Sequence, residues 1–491
     1  MIRQPVLYAI LLVFPLFGAS AQEPGLPVSF EQAVEMVNRD NKSIRIAEQG
    51  LDWAKSERQR LNSFWYPRIS ASGAYVHMAN DIEVKESLSA FTDPVKDFIH
   101  SIDPGEQIIT SLLNNLGSHS FSVPLAPRNV STIDATVALP IFTGGKRIYA
   151  GRIGKSMVGA AEVNRKQVSA DQQVLLVETY FGVRLGQKIV EVRQQTYDAL
   201  EQHFQNALKL EATGMLTKTE RLLFQVNRDE AKRELETAVK DLSVAQNAFK
   251  TLVQIETDEN ILPVSPLFIN ESLPALDYFK SLVGRDNYIV QGLGIQQDIQ
   301  QNQIKIANSA YMPAIELFGK QTLYSSGIRK NLVPRSLIGV GFTWNLFDGL
   351  GREKQIRQAK INHRILTVEK EKAADDLTLA VDKFYNQTQT ALDNVTALQT
   401  TVEMSREIVR ARHKSFQEGM ATPTEVIDAE LLLSKVRVAI LMAYYQFDTG
   451  LINLLAVCGI PESFDQYSRN GKDETSLTDR RTDAVNGTIN N

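Results

Sequence analysis

The sequence predicts a mainly α chain with a small β part, in which long coiled-coil helices and four strands are laid out as an internal duplication. Three observations predict it: landmarks that recur at two fixed offsets, two long proline-free stretches with heptad apolar spacing, and short alternating segments ahead of each stretch.

The N-terminus comes first. Arg3 precedes an apolar run from Val6 to Phe17, and a small-residue site follows at Ala19-Ser20-Ala21, the pattern of a secretory signal peptide over 1–21 with cleavage near Gln22. A run of about 12 residues is short of the roughly 20 that a spanning helix needs. The single cysteine, Cys458, lies far from that site, which argues against a disulfide framework and against an N-terminal lipid. A formal charge of −4 over 491 residues gives no nucleic-acid signal. Composition, 43% hydrophobic and 22% charged, fits a globular enzyme as well as two-faced helices, so the order of elements has to decide.

An amphipathic helix is expected over about 30–64. The segment Tyr66-Pro67-Arg68-Ile69 through Gly73 then recurs as Met312-Pro313-Ala314-Ile315 through Gly319, 246 residues later. Phe142-Thr143-Gly144 with Arg147 recurs as Phe347-Asp348-Gly349 with Arg352, and Gly214-Met215-Leu216-Thr217 as Gly419-Met420-Ala421-Thr422, both 205 residues later. The difference of 41 residues places a long loop insertion at about 78–131 in the first half. The repeats are therefore set at 22–262 and 263–464, with a polar, disordered tail over 465–491.

Strands are expected at about 67–77, 133–141, 313–324 and 338–346. Ile133, Ala135, Val137, Leu139 and Ile141 alternate with smaller or polar residues, as do Ile338, Val340, Phe342, Trp344 and Leu346. Each is near the 9 to 11 residues of a tilted membrane strand. Four strands cannot close a barrel, so strands that span force oligomerisation. Trp65, Tyr66, Tyr75 and Trp344 mark the strand margins, where aromatic rings favour a membrane interface. Gly144, Gly145, Gly349 and Gly351 let the chain turn from strand into helix.

No proline occurs from Ile141 to Leu262 or from Arg335 to Thr422. Within those runs and just beyond, Leu235, Ala238, Leu242, Ala245, Phe249 and Leu252, and then Ile427, Leu431, Val438, Leu441, Tyr445 and Ile452, keep a heptad-like register. These are helical hairpins, turned at Gly214 and at Gly419, with Pro423 opening the last helix. The arm from Arg147 to Ala212 is about 100 Å long at ~1.5 Å per residue.

The signal peptide, the duplicated strand turn Phe142-Thr143-Gly144-Gly145-Lys146-Arg147 and Phe347-Asp348-Gly349-Leu350-Gly351-Arg352, and the stretch Phe416 to Glu430 around the second tip together resemble the TolC family of outer membrane efflux proteins, over about Val28 to Pro461. The resemblance implies a homotrimer whose twelve strands form one transmembrane β-barrel in outer membrane lipid, with a coiled-coil α-helical barrel in the periplasm. It implies a passive export duct, working with a periplasmic adaptor (membrane fusion protein) and an inner membrane transporter of RND, ABC or MFS type, in a tripartite efflux pump or type I secretion system. It implies that Glu425 and Asp428, with Glu220 in the first half, form an acidic periplasmic gate, and that Gly214, Met215, Leu216, Thr217 and Gly419, Met420, Ala421, Thr422 dock the adaptor. On the residues alone, the acids also suit the positive end of a helix and the glycines also end helices.

No cofactor and no enzymatic chemistry is expected. Gly154-Lys155-Ser156 has Tyr149 where a phosphate-binding loop needs glycine, and the six histidines show no metal-ligand spacing. The other readings are a periplasmic coiled-coil scaffold or adaptor that does not span the membrane, and a periplasmic hydrolase. The first would lack a second copy of the strand and hairpin unit, and the second needs a catalytic constellation that the helices do not carry.

Overall fold

The computed structural model describes residues 26–102, 107–255, 260–326 and 334–474. The expected signal peptide lies outside them. In chain order the first half holds β1 (Leu26–Val28), α1 (Phe30–Asp40), α2 (Lys42–Asn62), β2 (Arg68–His77), β3 (Ile82–Ser87), α3 (Ser89–Ile102), α4 (Ile108–Gly117), β4 (Ser120–Ala126), β5 (Asn129–Thr143), α5 (Lys146–Ala212) and α6 (Lys218–Val253). The second holds β6 (Ile261–Pro263), β7 (Phe268–Ile269), α7 (Leu276–Asp286), α8 (Tyr288–Ser309), β8 (Ala314–Ser326), β9 (Ser336–Thr343), α9 (Gly351–Gln417), α10 (Pro423–Val457), α11 (Phe464–Arg469) and β10 (Lys472–Asp473). The starts of α7, α8 and β8 are those of α1, α2 and β2 displaced by 246 residues, and the starts of α9 and α10 are those of α5 and α6 displaced by 205. Both α5 and α9 have 67 residues.

The helix expected over 30–64 is two helices, because Asn41 leaves the helical conformation and caps α2. Its Oδ1 accepts from the backbone N–H of Ser43 (2.8 Å), and its Nδ2 donates to Gln172 and to the carbonyl of Leu252. Asn287 acts alike between α7 and α8, with Nδ2 donating to the carbonyl of Val457 at 2.8 Å. A buried asparagine that satisfies backbone groups on both sides holds a break in place that helix propensity alone does not reveal.

The described residues form two compact units. One comprises the chain up to residue 51, 161–294 and from 368 on. Its core is aromatic: Phe30, Tyr180, Phe181, Phe249, Phe268, Phe447 and Phe464 meet edge-on or tilted, with centroids 5.2–6.3 Å apart. Tyr180 brings its hydroxyl to the carbonyl of Val28 (2.8 Å) and accepts from the N–H of Ser265 (3.0 Å), so a buried phenol anchors both segments. β1 pairs in parallel with β6, and β7 pairs antiparallel with β10. The tail expected to be disordered from 465 is thereby corrected over 465–474: Phe464 is fully buried, α11 follows it, and β10 adds to β7. The segment is also held by an ion pair of Arg184 with the buried Glu474 (2.8 Å) and by Asn270 Nδ2 donating to the Tyr467 carbonyl (3.1 Å). The rest of that tail lies outside the described residues.

The other unit comprises 52–160 and 295–367. Its sheet has the order β2-β5-β8-β9, antiparallel throughout, with Arg68 opposite Ala138, Val137 opposite Gly319 and Gly319 opposite Ile338. The expected strands are met within a few residues, except that β9 ends at Thr343, short of Leu346. Register places Ile69, Val137, Leu139, Leu317, Ile338, Val340 and Phe342 on one face, and exposure of 75% for Ile69, 81% for Ile338 and 76% for Phe342 shows that no described residue covers it. The opposite face carries polar groups: Ser70 to Thr136 at 2.7 Å, Thr322 donating to Asp134 at 2.7 Å, and Lys320 paired with Asp134 at 2.8 Å. Phe318, lying over Gly339 and Gly341, and Leu337, opposite Lys320, are large apolar residues on that face. Among the described residues neither β2 nor β9 has a second neighbour. No described helix is long and apolar enough to cross a membrane.

The insertion at 78–131 is folded. β3 and β4 make an antiparallel hairpin and α3 and α4 fill the connection between them, where an irregular loop was expected. Phe91, Phe98 and Ile108 remain exposed there.

Candidate functional site

Each strand-to-helix turn is held by an arginine. Arg147 donates to the carbonyl of Pro140 and stacks on Trp65, its guanidinium 3.9 Å from the ring centroid. Arg352 donates to the carbonyl of Asn345 (2.8 Å) and stacks on Tyr311 at 4.7 Å. In the sequence these arginines stand only as landmarks of the repeat, with nothing to mark them as clamps. Gly144 and Gly145 have φ of +62° and +88°, and a side chain at Gly144 would meet the Ser309 carbonyl at 2.6 Å. In the second half the left-handed pair is Gly349 and Leu350, at +71° and +67°. Gly351, expected to serve that turn, opens α9 instead, and Leu350 takes the strained position.

The two hairpin tips are built alike. Gly214 and Gly419 both have φ of +73°, and each closes its helix with a pair of backbone bonds: Met215 N–H to Leu210 and Gly214 N–H to Glu211, both 2.9 Å, then Met420 N–H to Ser415 (2.8 Å) and Gly419 N–H to Phe416 (3.0 Å). Open space surrounds both glycines, so the positive φ, and no close contact, selects them. Met215 and Met420 are exposed. Leu216, by contrast, packs with Tyr197, Phe416 and Leu431 against a small separate core of Leu200, Phe204, Ala207, Phe224, Ala231 and Ile427. The tip of the first hairpin and the tip of the second share this core.

Thr217 and Thr422 start the returning helices through reciprocal capping boxes with Glu220 and Glu425. The backbone N–H of Thr217 holds the Glu220 carboxyl below its ordinary value, and the N–H of Thr422 does the same for Glu425, with Arg412 3.0 Å away adding to it. Within one subunit these two acids therefore serve the helix starts. Asp428, one turn further on, is exposed and has no hydrogen bond or ion pair among the described residues.

The six histidines show no metal-ligand spacing in the sequence, yet the structure brings two of them together with a glutamate. His203 on α5, His413 on α9 and Glu430 on α10 converge beneath the tips. The two Nε2 atoms are 3.0 Å apart, and Oε1 of Glu430 lies 2.9 Å from His413 and 3.8 Å from His203. Burial raises the Glu430 carboxyl, but the two imidazoles outweigh it and hold the group at about 2. Spacings of 210 and 17 residues leave no local signature, which is why the sequence did not reveal them.

The model of the outer membrane efflux protein family matches residues 291–459. Over that C-terminal stretch the chain is similar to that family. Two curated relatives are similar to this chain: the alkaline protease secretion protein AprF of Pseudomonas aeruginosa, 23% identical over 63% of this chain and 66% of the relative's length, and the outer membrane efflux protein BepC of Brucella suis, 20% identical over 70% and 76%. Solved structures of CusC (TM-score 0.69, 14% identity) and of VceC from Vibrio cholerae (TM-score 0.67, 14%) share its fold, each match covering 88% of this chain and 92% or 96% of theirs. The matching family model describes outer membrane efflux proteins, which are not enzymes.

Proposed function

We propose that three copies of this chain assemble into one passive duct, each contributing four strands to a 12-stranded barrel and its hairpins to a tapering tunnel in the periplasm. The observation that carries this is the sheet. It has an apolar face open to the outside, a polar hydrogen-bonded face, and two edge strands that lack a second neighbour among the described residues. Unpaired edges are not tolerated in hydrocarbon, and closure with other copies satisfies them. The geometry supports such closure. Because the four strands alternate in direction, β9 of one copy meets β2 of the next antiparallel. Strands of about 10 residues at ~3.3 Å each, tilted by roughly 40°, cover an apolar band of about 25 Å.

The two fixed offsets between element starts support reading the chain as two repeats, 22–262 and 263–464. The duct works with a periplasmic adaptor that docks at Gly214 to Thr217 and Gly419 to Thr422, and with an inner membrane transporter, in efflux or in type I secretion. Asp428 is the principal acid of the gate, since Glu220 and Glu425 are engaged in capping. Untreated protein from outer membranes is expected to run as a heat-modifiable trimer and to form ion-conducting channels in planar bilayers. A water-soluble monomer without conductance overturns the assembly.

A further inference from the structure

The geometry points to a divalent transition-metal site, of the zinc class, formed by His203, His413 and Glu430 and clamping the first hairpin to the second within each subunit. The circle through the three donor atoms has a radius of about 1.9 Å, so a point ~2.0–2.1 Å from all of them, the length of a zinc–imidazole bond, lies just off their plane. Without a cation the arrangement is awkward. His413 Nε2 carries at most one proton, and two groups face it at hydrogen-bond distance. A cation at the centre serves all three donors at once.

Two imidazoles and a carboxylate suit zinc, copper or nickel better than the hard cations, which take oxygen ligands. The surroundings favour a built site over a chance meeting. His203 is 6% exposed and stacks on Phe224, which in turn packs edge-on to Phe416, giving an apolar wall. On the other side the cleft beneath the tips, lined by Gln202, Asn206 and Met420 among others, leaves a fourth position open and offers a way in. The site also breaks the internal repeat. The residues that correspond to His203, His413 and Glu430 at the 205-residue offset are Ile408, Leu208 and Gln225, so each subunit carries one such centre, linking the two hairpins.

The test uses untagged, detergent-purified full-length protein, stripped with a chelator and titrated with Zn²⁺ against a chromophoric competitor, with Co²⁺ as a spectroscopic probe. The expected result is one Zn²⁺ per chain with a dissociation constant below ~10 µM, a tetrahedral Co²⁺ absorption band, and affinity weakened about tenfold or more in both His413→Ala and His203→Ala. His413 is a third exposed, so its replacement leaves the helices in place, as circular dichroism would verify, and keeps the test valid where the buried His203 does not tolerate change. Absence of stoichiometric binding in the wild type, or binding retained by His413→Ala, overturns the proposal. Neither readout depends on trimer formation or conductance.

Discussion

Asp448 is fully buried in α10, and neither carboxylate oxygen has a hydrogen-bond partner by geometry among the described residues. Burial first, and the nearby Glu474 second, push its pKa well above the ordinary carboxylate range. The native state therefore holds a proton that the unfolded chain releases, so the associated stability is fully present below an ordinary Asp pKa of about 3.9 and is lost as pH rises toward the raised value. Asp448→Asn, neutral at every pH, is expected to melt higher than the wild type at about pH 8 and to match it near pH 4, in thermal unfolding followed by circular dichroism. Leu350 offers a second test. An L-residue in the left-handed region costs roughly 1–2 kcal/mol, and Gly145 fills the corresponding place in the first half, so Leu350→Gly is expected to stabilise by about 1 kcal/mol in denaturant titration. Neither residue was legible in the sequence. A lone aspartate in a heptad register looks like a surface position, and Gly351, one residue on, draws the turn assignment away from Leu350.

At the scale of elements the sequence was most legible where periodicity is long. The arm expected from Arg147 to Ala212 is α5 within one residue, because more than 60 residues without proline and with a continuous apolar seam leave little freedom. Seam positions Ala238, Phe249 and Leu252 are buried, and so are Ile427, Leu441 and Ile452. Legibility fell where single polar residues decide, as at Asn41, or where elements are short, as with β10 and the hairpin inside 78–131. The capping boxes give an elemental prediction. Thr422→Ala removes the hydroxyl that receives the Glu425 N–H and is expected to cost about 1 kcal/mol, seen as faster hydrogen exchange over the first turn of α10 with later turns unchanged. Thr217→Ala is expected to do the same to α6.

At the scale of the proposed assembly, closure and charge are properties that a single chain lacks. In the proposed trimer three exposed copies of Asp428 stand around the tip end of the duct and favour cations, so Asp428→Lys is expected to lower the K⁺ over Cl⁻ permeability ratio, read from the reversal potential across a KCl gradient. The gate's three acids were expected from resemblance as one set. The structure divides them by the hydrogen bonds that Glu220 and Glu425 already make. The candidate metal centre escaped the sequence altogether, since His203 lies 210 residues before His413, and His413 and Glu430, 17 residues apart, sit on either side of the second hairpin tip. The β2-β5-β8-β9 sheet runs alternately up and down, and in the proposed trimer its even count preserves the polarity of the seam between neighbouring copies. Gain or loss of a whole β-hairpin therefore changes the circumference of the pore while leaving every join antiparallel. Gain or loss of a single strand leaves like-directed partners at each join, a parity rule that restricts how such pores widen or narrow as their genes change.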